Sequence, residues 1–227
     1  MPRASGSTRS PRPRVPGSGV ITGFGAVSGD LDSRTVLLDR RRVATILESD
    51  RATLGLHVDM TMTEDLAEAI ATRHEYRLAW RAALQRLARK ARTVREIRDS
   101  LARRRHHESV IDEVVATLEH GGALDDRRYA ESAAEALARR TPASVNFLKS
   151  KLRDRGVPAE DAAEAASRAA GDPVESAMAL ATQAMRSLAS YPPETRRRRL
   201  WGRLARRGFD ADVISDVLRR LDEDVDE

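Results

Sequence analysis

The chain has no cysteine. Disulfide cross-links and thiolate metal sites are therefore excluded. Aromatic residues make up only 4%, so a core has to be built from Leu, Ile, Val and Ala. No stretch approaches the roughly 18 apolar residues of a membrane span. The basic start (Arg3, Arg9, Arg12, Arg14) leads into no apolar segment and does not read as a secretory signal. A reducing, cytoplasmic setting without membrane contact is the expectation. Lysine occurs only at Lys90, Lys149 and Lys151, so arginine carries nearly all the positive charge.

Catalytic signatures are missing as well. No Gly-Lys pair is present for a P-loop. Gly23-x-Gly25 follows a strand-like run, but position 28 is Ser and no helix opens there. His74-Glu75 starts a zincin-like phrase that fails at Leu78, and no Gly-x-Ser-x-Gly elbow exists. His106-His107 with His120 reads as a solvated, partly capping group rather than a metal site. The sequence predicts no catalytic residue, no cofactor and no bound metal.

The 227 residues are 33% charged, with a net charge of +5 and a pI near 10.1. A basic excess of that size suits nucleic acid or an acidic protein surface. Residues 1–19 are Ser, Pro, Gly and Arg, and predict a disordered basic tail. Residues 20–72 predict a small β-meander with a short helix: Val20-Ile21-Thr22, Thr35–Leu38 and Val43–Leu47 are the strand-like runs. Thr61-x-x-Glu64 fits a helix-starting capping box. Between His74 and Arg92, Tyr76, Trp80, Ala83, Leu84, Leu87 and Ala91 form one apolar stripe, with Arg77 outside it.

A phrase then recurs. Ile97-x-x-x-Leu101-x-x-Arg104-Arg105 becomes Leu148-x-x-x-Leu152-x-x-Arg155-Gly156, then Leu200-x-x-x-Leu204-x-x-Arg207-Gly208. A period of about 50 residues accommodates three short helices per unit. The fold expected is mainly α: tandem three-helix repeats in an elongated array, behind the small N-terminal meander. The boundaries expected are a long helix plus a first repeat over 73–140, a second over 141–190, a truncated third over 191–221, and an acidic tail over 222–227. Asp125 is placed to cap a helix, and Gly156 and Gly208 to end helices in a left-handed conformation. Arg105 stands where the other copies have Gly, so the first copy is expected to end differently.

The binding candidates follow from the phrase. The position before the repeated Leu is Ser100, Lys151 or Arg203, and the position three after it is Arg104, Arg155 or Arg207. These lie four apart and share a helix face. Stacked units would make a ladder of cations suited to phosphates or to acidic side chains on a repeating partner. Arg196, Arg197, Arg198 and Arg199 add charge at a helix start, where cations are unfavourable. A last-turn Arg is also explained by the helix dipole, without any partner.

Three parts of the chain resemble the RecX family. They are Ala83-Leu84-x-x-Leu87-Ala88 leading into Thr93-x-x-Glu96-Ile97, Gly122-Ala123-Leu124-Asp125-Asp126-x-x-Tyr129-Ala130, and the recurring phrase ending in Arg206-Arg207-Gly208-Phe209. The resemblance is specific over about 83–221. It implies tandem three-helix units in a non-enzymatic, monomeric regulator of recombination, DNA repair and the SOS response. Its implied partner is the RecA filament on single-stranded DNA, whose growth, ATP hydrolysis and strand exchange it would inhibit. A helical protein that binds DNA directly and a protein-interaction scaffold are the alternatives.

Overall fold

The computed structural model describes residues 13–223. The chain divides into two compact units. One holds the residues up to Arg92 together with Glu96–Leu124, and the other holds Thr93–Arg95 with Asp125 onward.

In the first unit, β1 (Ile21–Val27), β2 (Asp30–Leu38) and β3 (Arg41–Leu47) form an antiparallel sheet in that order. The second hairpin turns on Asp39 and Arg40, both at positive φ (47° and 67°), and pairs Leu38 with Arg41. One sheet face buries Ile21, Val36, Leu38, Ala44 and Ile46 against Leu56, Met62, Ala67 and Ile70. The helix α1 (Glu48–Thr53) follows the sheet, and α2 (Glu64–Leu87) packs on β3. Val15 packs against this core, so the expected tail is seated by that point. Residues 1–12 of that expectation, and 224–227 of the acidic one, lie outside the described residues.

The helix α2 corrects two expectations. Its cap is Thr63, whose hydroxyl accepts the Leu66 N–H, so the helix starts before residue 73. Arg77 is not on an open face: it is only 6% exposed. Its Nε donates to Ser33 Oγ at 2.7 Å and its Nη2 to Asp30 at 2.8 Å. A buried guanidinium is tolerated when paired in this way. The helix has buried faces toward both β3 and α4 (Glu108–His120), while Leu84 is 40% exposed and Ala91 lies past its end.

Burial disfavours protonation of two histidines of this unit. The Thr45 N–H donates to His74 Nδ1 at 2.7 Å. Burial pushes the His74 pKa below its ordinary 6.5, against the Thr45 carbonyl, which raises it. Burial likewise lowers that of His106, against the pull of Glu75 at 3.7 Å. Both protonate more readily in the unfolded chain. Their contribution is complete above pH 6.5 and is lost as the pH falls toward the folded values. The urea midpoint is expected to drop between pH 7.5 and 5.5, and replacing both histidines by Gln should flatten that slope.

The remaining helices are α3 (Val94–Arg103), α5 (Asp126–Arg140), α6 (Val145–Asp154), α7 (Ala159–Ala169), α8 (Pro173–Leu188), α9 (Pro193–Ala205) and α10 (Ala211–Glu223). In the second unit, Tyr129, Ala130 and Ala134 of α5 share a core with Leu152, Val157, Ala162 and Ala165. Helix α5 therefore belongs with α6 and α7. Alanines let α7 approach closely, and Ala162, Ala165 and Ala166 are at most 3% exposed. Helices α8, α9 and α10 share another core around Leu180, Leu200, Leu204, Ile214 and Leu218. The last module is thus complete rather than truncated, and the recurring phrase lies on the middle helix of each triplet. The period is as expected, but the phase is shifted by one helix.

The middle helices end alike. Arg105, Gly156 and Gly208 all take left-handed φ (64°, 91° and 77°). In each, the next N–H reaches back to the repeated Leu carbonyl: His106 to Leu101 at 3.3 Å, Val157 to Leu152 at 3.2 Å, Phe209 to Leu204 at 3.4 Å. These are Schellman ends. The first copy therefore closes like the others despite its Arg. A left-handed non-Gly residue costs about 1 kcal/mol. Arg105→Gly is expected to stabilise the first unit by about 0.5–1 kcal/mol, read from its urea midpoint.

Candidate partner-binding surface

In the second unit the middle helices meet end to end. Ser144 caps α6 by accepting the Phe147 N–H at 3.2 Å. The Ser144 N–H in turn donates to the Arg207 carbonyl at 3.3 Å, at the end of α9. At the other end of α6 the Thr93 hydroxyl donates to the Arg155 carbonyl at 2.7 Å. Thr93 and Ser144 hold equivalent places in the repeat, and each meets the carbonyl of a phrase Arg, Ser144 through its backbone N–H and Thr93 through its hydroxyl. Each joint needs its glycine. A Cβ on Gly208 would stand 2.6 Å from Ser144 Oγ and 3.0 Å from the Phe147 nitrogen. One on Gly156 would stand 2.5 Å from Arg95 Cβ.

Steps of four residues place Phe147, Lys151 and Arg155 on one stripe of α6, and Arg199, Arg203 and Arg207 on the matching stripe of α9. Lys151 and Arg207 converge on one ring. The Lys151 ammonium lies 5.6 Å from the Phe147 centroid and the Arg207 guanidinium 4.8 Å from it. Successive rungs of the expected ladder are thus brought together at the joint. Arg155 is half-buried and donates to the Tyr129 hydroxyl at 3.1 Å. Arg203 is exposed, with only a 3.5 Å contact to Ser187. Arg104 is exposed at the end of α3, in the first unit.

The four consecutive arginines do not act as a block. Successive residues fan around a helix by about 100° each. Arg197 pairs with Asp222, Arg199 lies over the Tyr191 ring at 4.1 Å, and Arg196 with Arg197 lines a cleft of about 240 Å³ against α10. Arg198 is exposed without a partner among the described residues.

Countercharge is unevenly distributed, although Arg140 of α5 and Arg186 of α8 also meet no carboxylate among the described residues. On the outer helices, Arg127 and Arg168 bind Glu131 and Glu164, Arg139 binds Glu135, and Arg219 and Arg220 bind Asp216. On α6 and α9, only Lys151 (to Asp154, 3.5 Å) and Arg197 meet a carboxylate among the described residues. Lys149, Arg153, Arg198 and Arg203 of these two helices meet no carboxylate among the described residues.

Sequence reasoning missed a second cationic group. Asn146, Lys149, Ser150 and Arg153 fall at i, i+3, i+4 and i+7 on α6 and, with Arg95 and Asp154, line an open groove of about 600 Å³. The i, i+3, i+4, i+7 spacing is the signal in the sequence, and it falls on positions outside the repeated phrase. Among the described residues no group of three or more His, Asp or Glu is placed to hold a metal ion. No described helix is long and apolar enough to cross a membrane.

Three family models match the chain: the first three-helix domain of RecX over residues 79–118, the second over 125–165 and the third over 171–218. Their limits follow the observed phase of the modules. The chain is similar to the regulatory protein RecX of Thermobifida fusca, at 35% identity over 144 residues, covering 60% of this chain and 74% of that one. The regulatory protein RecX of Amycolatopsis mediterranei is 31% identical over 134 residues, covering 59% and 77%. A crystal structure of regulatory protein RecX has the same fold, with a TM-score of 0.75 at 21% identity, covering 88% of this chain and 98% of that one. With the tandem triplets and the recurring middle helix, these likenesses place the chain in the RecX family of regulatory proteins.

Proposed function

We propose that the chain is a non-enzymatic regulator that binds the RecA filament on single-stranded DNA. Bound there, it suppresses filament growth, ATP hydrolysis and strand exchange, and so modulates recombination and repair in the cytoplasm. The observation that carries this reading is the set of cations on α6 and α9 without carboxylate partners. Arg203 and Arg207 are the leading contacts, joined by Lys151, which Asp154 meets at 3.5 Å, and all three act by charge-assisted hydrogen bonds to carboxylate or phosphate. Arg155 and Arg199, each held against a tyrosine, and Arg104 and Arg196–Arg198 contribute behind them.

The test is the DNA-stimulated ATPase of RecA. Adding the protein is expected to lower the steady-state rate in a dose-dependent way. Raising salt from 50 to 200 mM should weaken the inhibition, since ion-pair contacts are screened and phosphate contacts release counterions. An ATPase rate unchanged at saturating protein would remove the filament from the account.

A further inference from the structure

The stripe of Lys151, Arg203 and Arg207 occupies one flank of the middle helices. The other flank has a different character. On α6 it is the groove with Lys149 and Arg153, neither of which meets a carboxylate among the described residues. Arg95 is anchored at its rim, donating to the Asp154 carbonyl at 2.7 Å. The Asp154 carboxylate is turned to Lys151 at 3.5 Å.

One module further on, the equivalent positions of α9 are Arg198, Trp201, Gly202 and Ala205. Trp201 is 40% exposed in a chain with only two tryptophans. A Cβ at Gly202 would meet only the mobile end of Arg206, Nη1 at 3.3 Å. Packing does not call for a glycine there, and glycine weakens a helix interior relative to alanine. It leaves bare backbone beside an exposed indole. In the first unit the same flank is neutralised, since Arg98 binds Asp112 and Asp99 sits beside it. Because α9 ends on the start of α6, the indole and the groove follow one another within the second unit.

We propose that this flank binds single-stranded nucleic acid directly, with Trp201 stacked on a base and Arg198, Lys149 and Arg153 on the flanking phosphates. An indole offers its face to any base, and cations beside it track the backbone. The pairing favours a single strand, because a duplex hides base faces and would leave the indole without a partner. The inference takes its setting from the filament reading, but it assigns this flank to DNA rather than to the recombinase.

The experiment is a fluorescence titration of the full chain with oligothymidylate, without RecA. Trp80, half-buried and stacked on Tyr76, supplies a constant background. Binding is expected to quench the emission, and Trp201→Ala to abolish the quench and weaken affinity about tenfold, followed by anisotropy of a labelled strand. Lys149→Glu with Arg153→Glu should lower the slope of log affinity against log salt by about 1.4. Arg139→Glu, on α5, should change neither, and circular dichroism checks that each variant is folded. Affinity and salt slope unchanged in both flank variants would overturn the proposal. Loss of RecA inhibition in those variants, with oligonucleotide binding intact, would also overturn it by giving the flank to a protein surface. Oligonucleotide binding as expected beside an unaffected RecA ATPase would support this site while removing the filament reading.

Discussion

Reversing Lys151 and Arg203 together to glutamate is expected to weaken inhibition of the RecA ATPase by about 10- to 100-fold while leaving the protein folded. The two residues hold the same place in successive modules, on the stripe that also carries Arg207. Both are exposed, and neither contributes to a core, so the fold loses little. Each contact between ionised groups contributes about 1.5–3 kcal/mol when well formed. Tenfold in affinity corresponds to about 1.4 kcal/mol, and imperfect contacts on an exposed surface account for the lower end. The matched control reverses Arg139 and Arg219, which already have carboxylate neighbours on α5 and α10. That pair carries the same change of net charge and should shift inhibition less than about threefold, as expected for long-range screening alone. Equal losses in the two double variants would mean that total charge, and not the stripe, sets binding.

Gly208→Ala is expected to cost about 2–4 kcal/mol of stability in the second unit. A left-handed alanine costs about 1–2 kcal/mol. The rest comes from the joint, where the new methyl would press on the Ser144 hydroxyl and the Phe147 nitrogen, so the cap of α6 has to move. Gly156→Ala should behave likewise, because its neighbour is Arg95 Cβ rather than only the free end of a side chain. Urea unfolding followed by circular dichroism measures both. Costs no greater than those of an alanine on an exposed helix face would show that the joints do not hold the modules together. Placed beside Arg105→Gly, the pair asks whether one backbone motif responds oppositely at equivalent sites.

Much of the architecture could be read from residue order. Leu101, Leu152 and Leu204 announce the repeat, and Asp125 caps α5 as expected, accepting the Arg128 N–H at 2.9 Å. What could not be read depends on partners far along the chain. The burial of Arg77 rests on Asp30 and Ser33, more than forty residues earlier. The phase of the triplets was ambiguous because a period says how often a helix recurs, not which neighbour it packs on. Tyr129 and Ala130 join Leu152 and Ala162 only in three dimensions.

The candidate surface divides in the same way. The cations of the repeated phrase were visible as a pattern, but which of them are free was not. Arg197 is tied to Asp222, which lies 25 residues away, and Arg155 is engaged by Tyr129. Lys149 and Arg153 form no ion pair among the described residues although Asp154 lines the same groove, because its carboxylate is turned to Lys151, and that is a property of packing rather than of spacing.

The end-to-end joint has a consequence for how such a chain changes in length. The module of α6, about 50 residues long, contains both halves of the connection: Ser144, which receives the end of α9, and the Arg155 carbonyl with Gly156, which meet Thr93 and Arg95. Tandem duplication would therefore create a new, already matched seam, and deletion would heal the old one. Duplication would leave the flanking surfaces free to differ, as Lys149 on one middle helix and Trp201 at the equivalent place on the next already do.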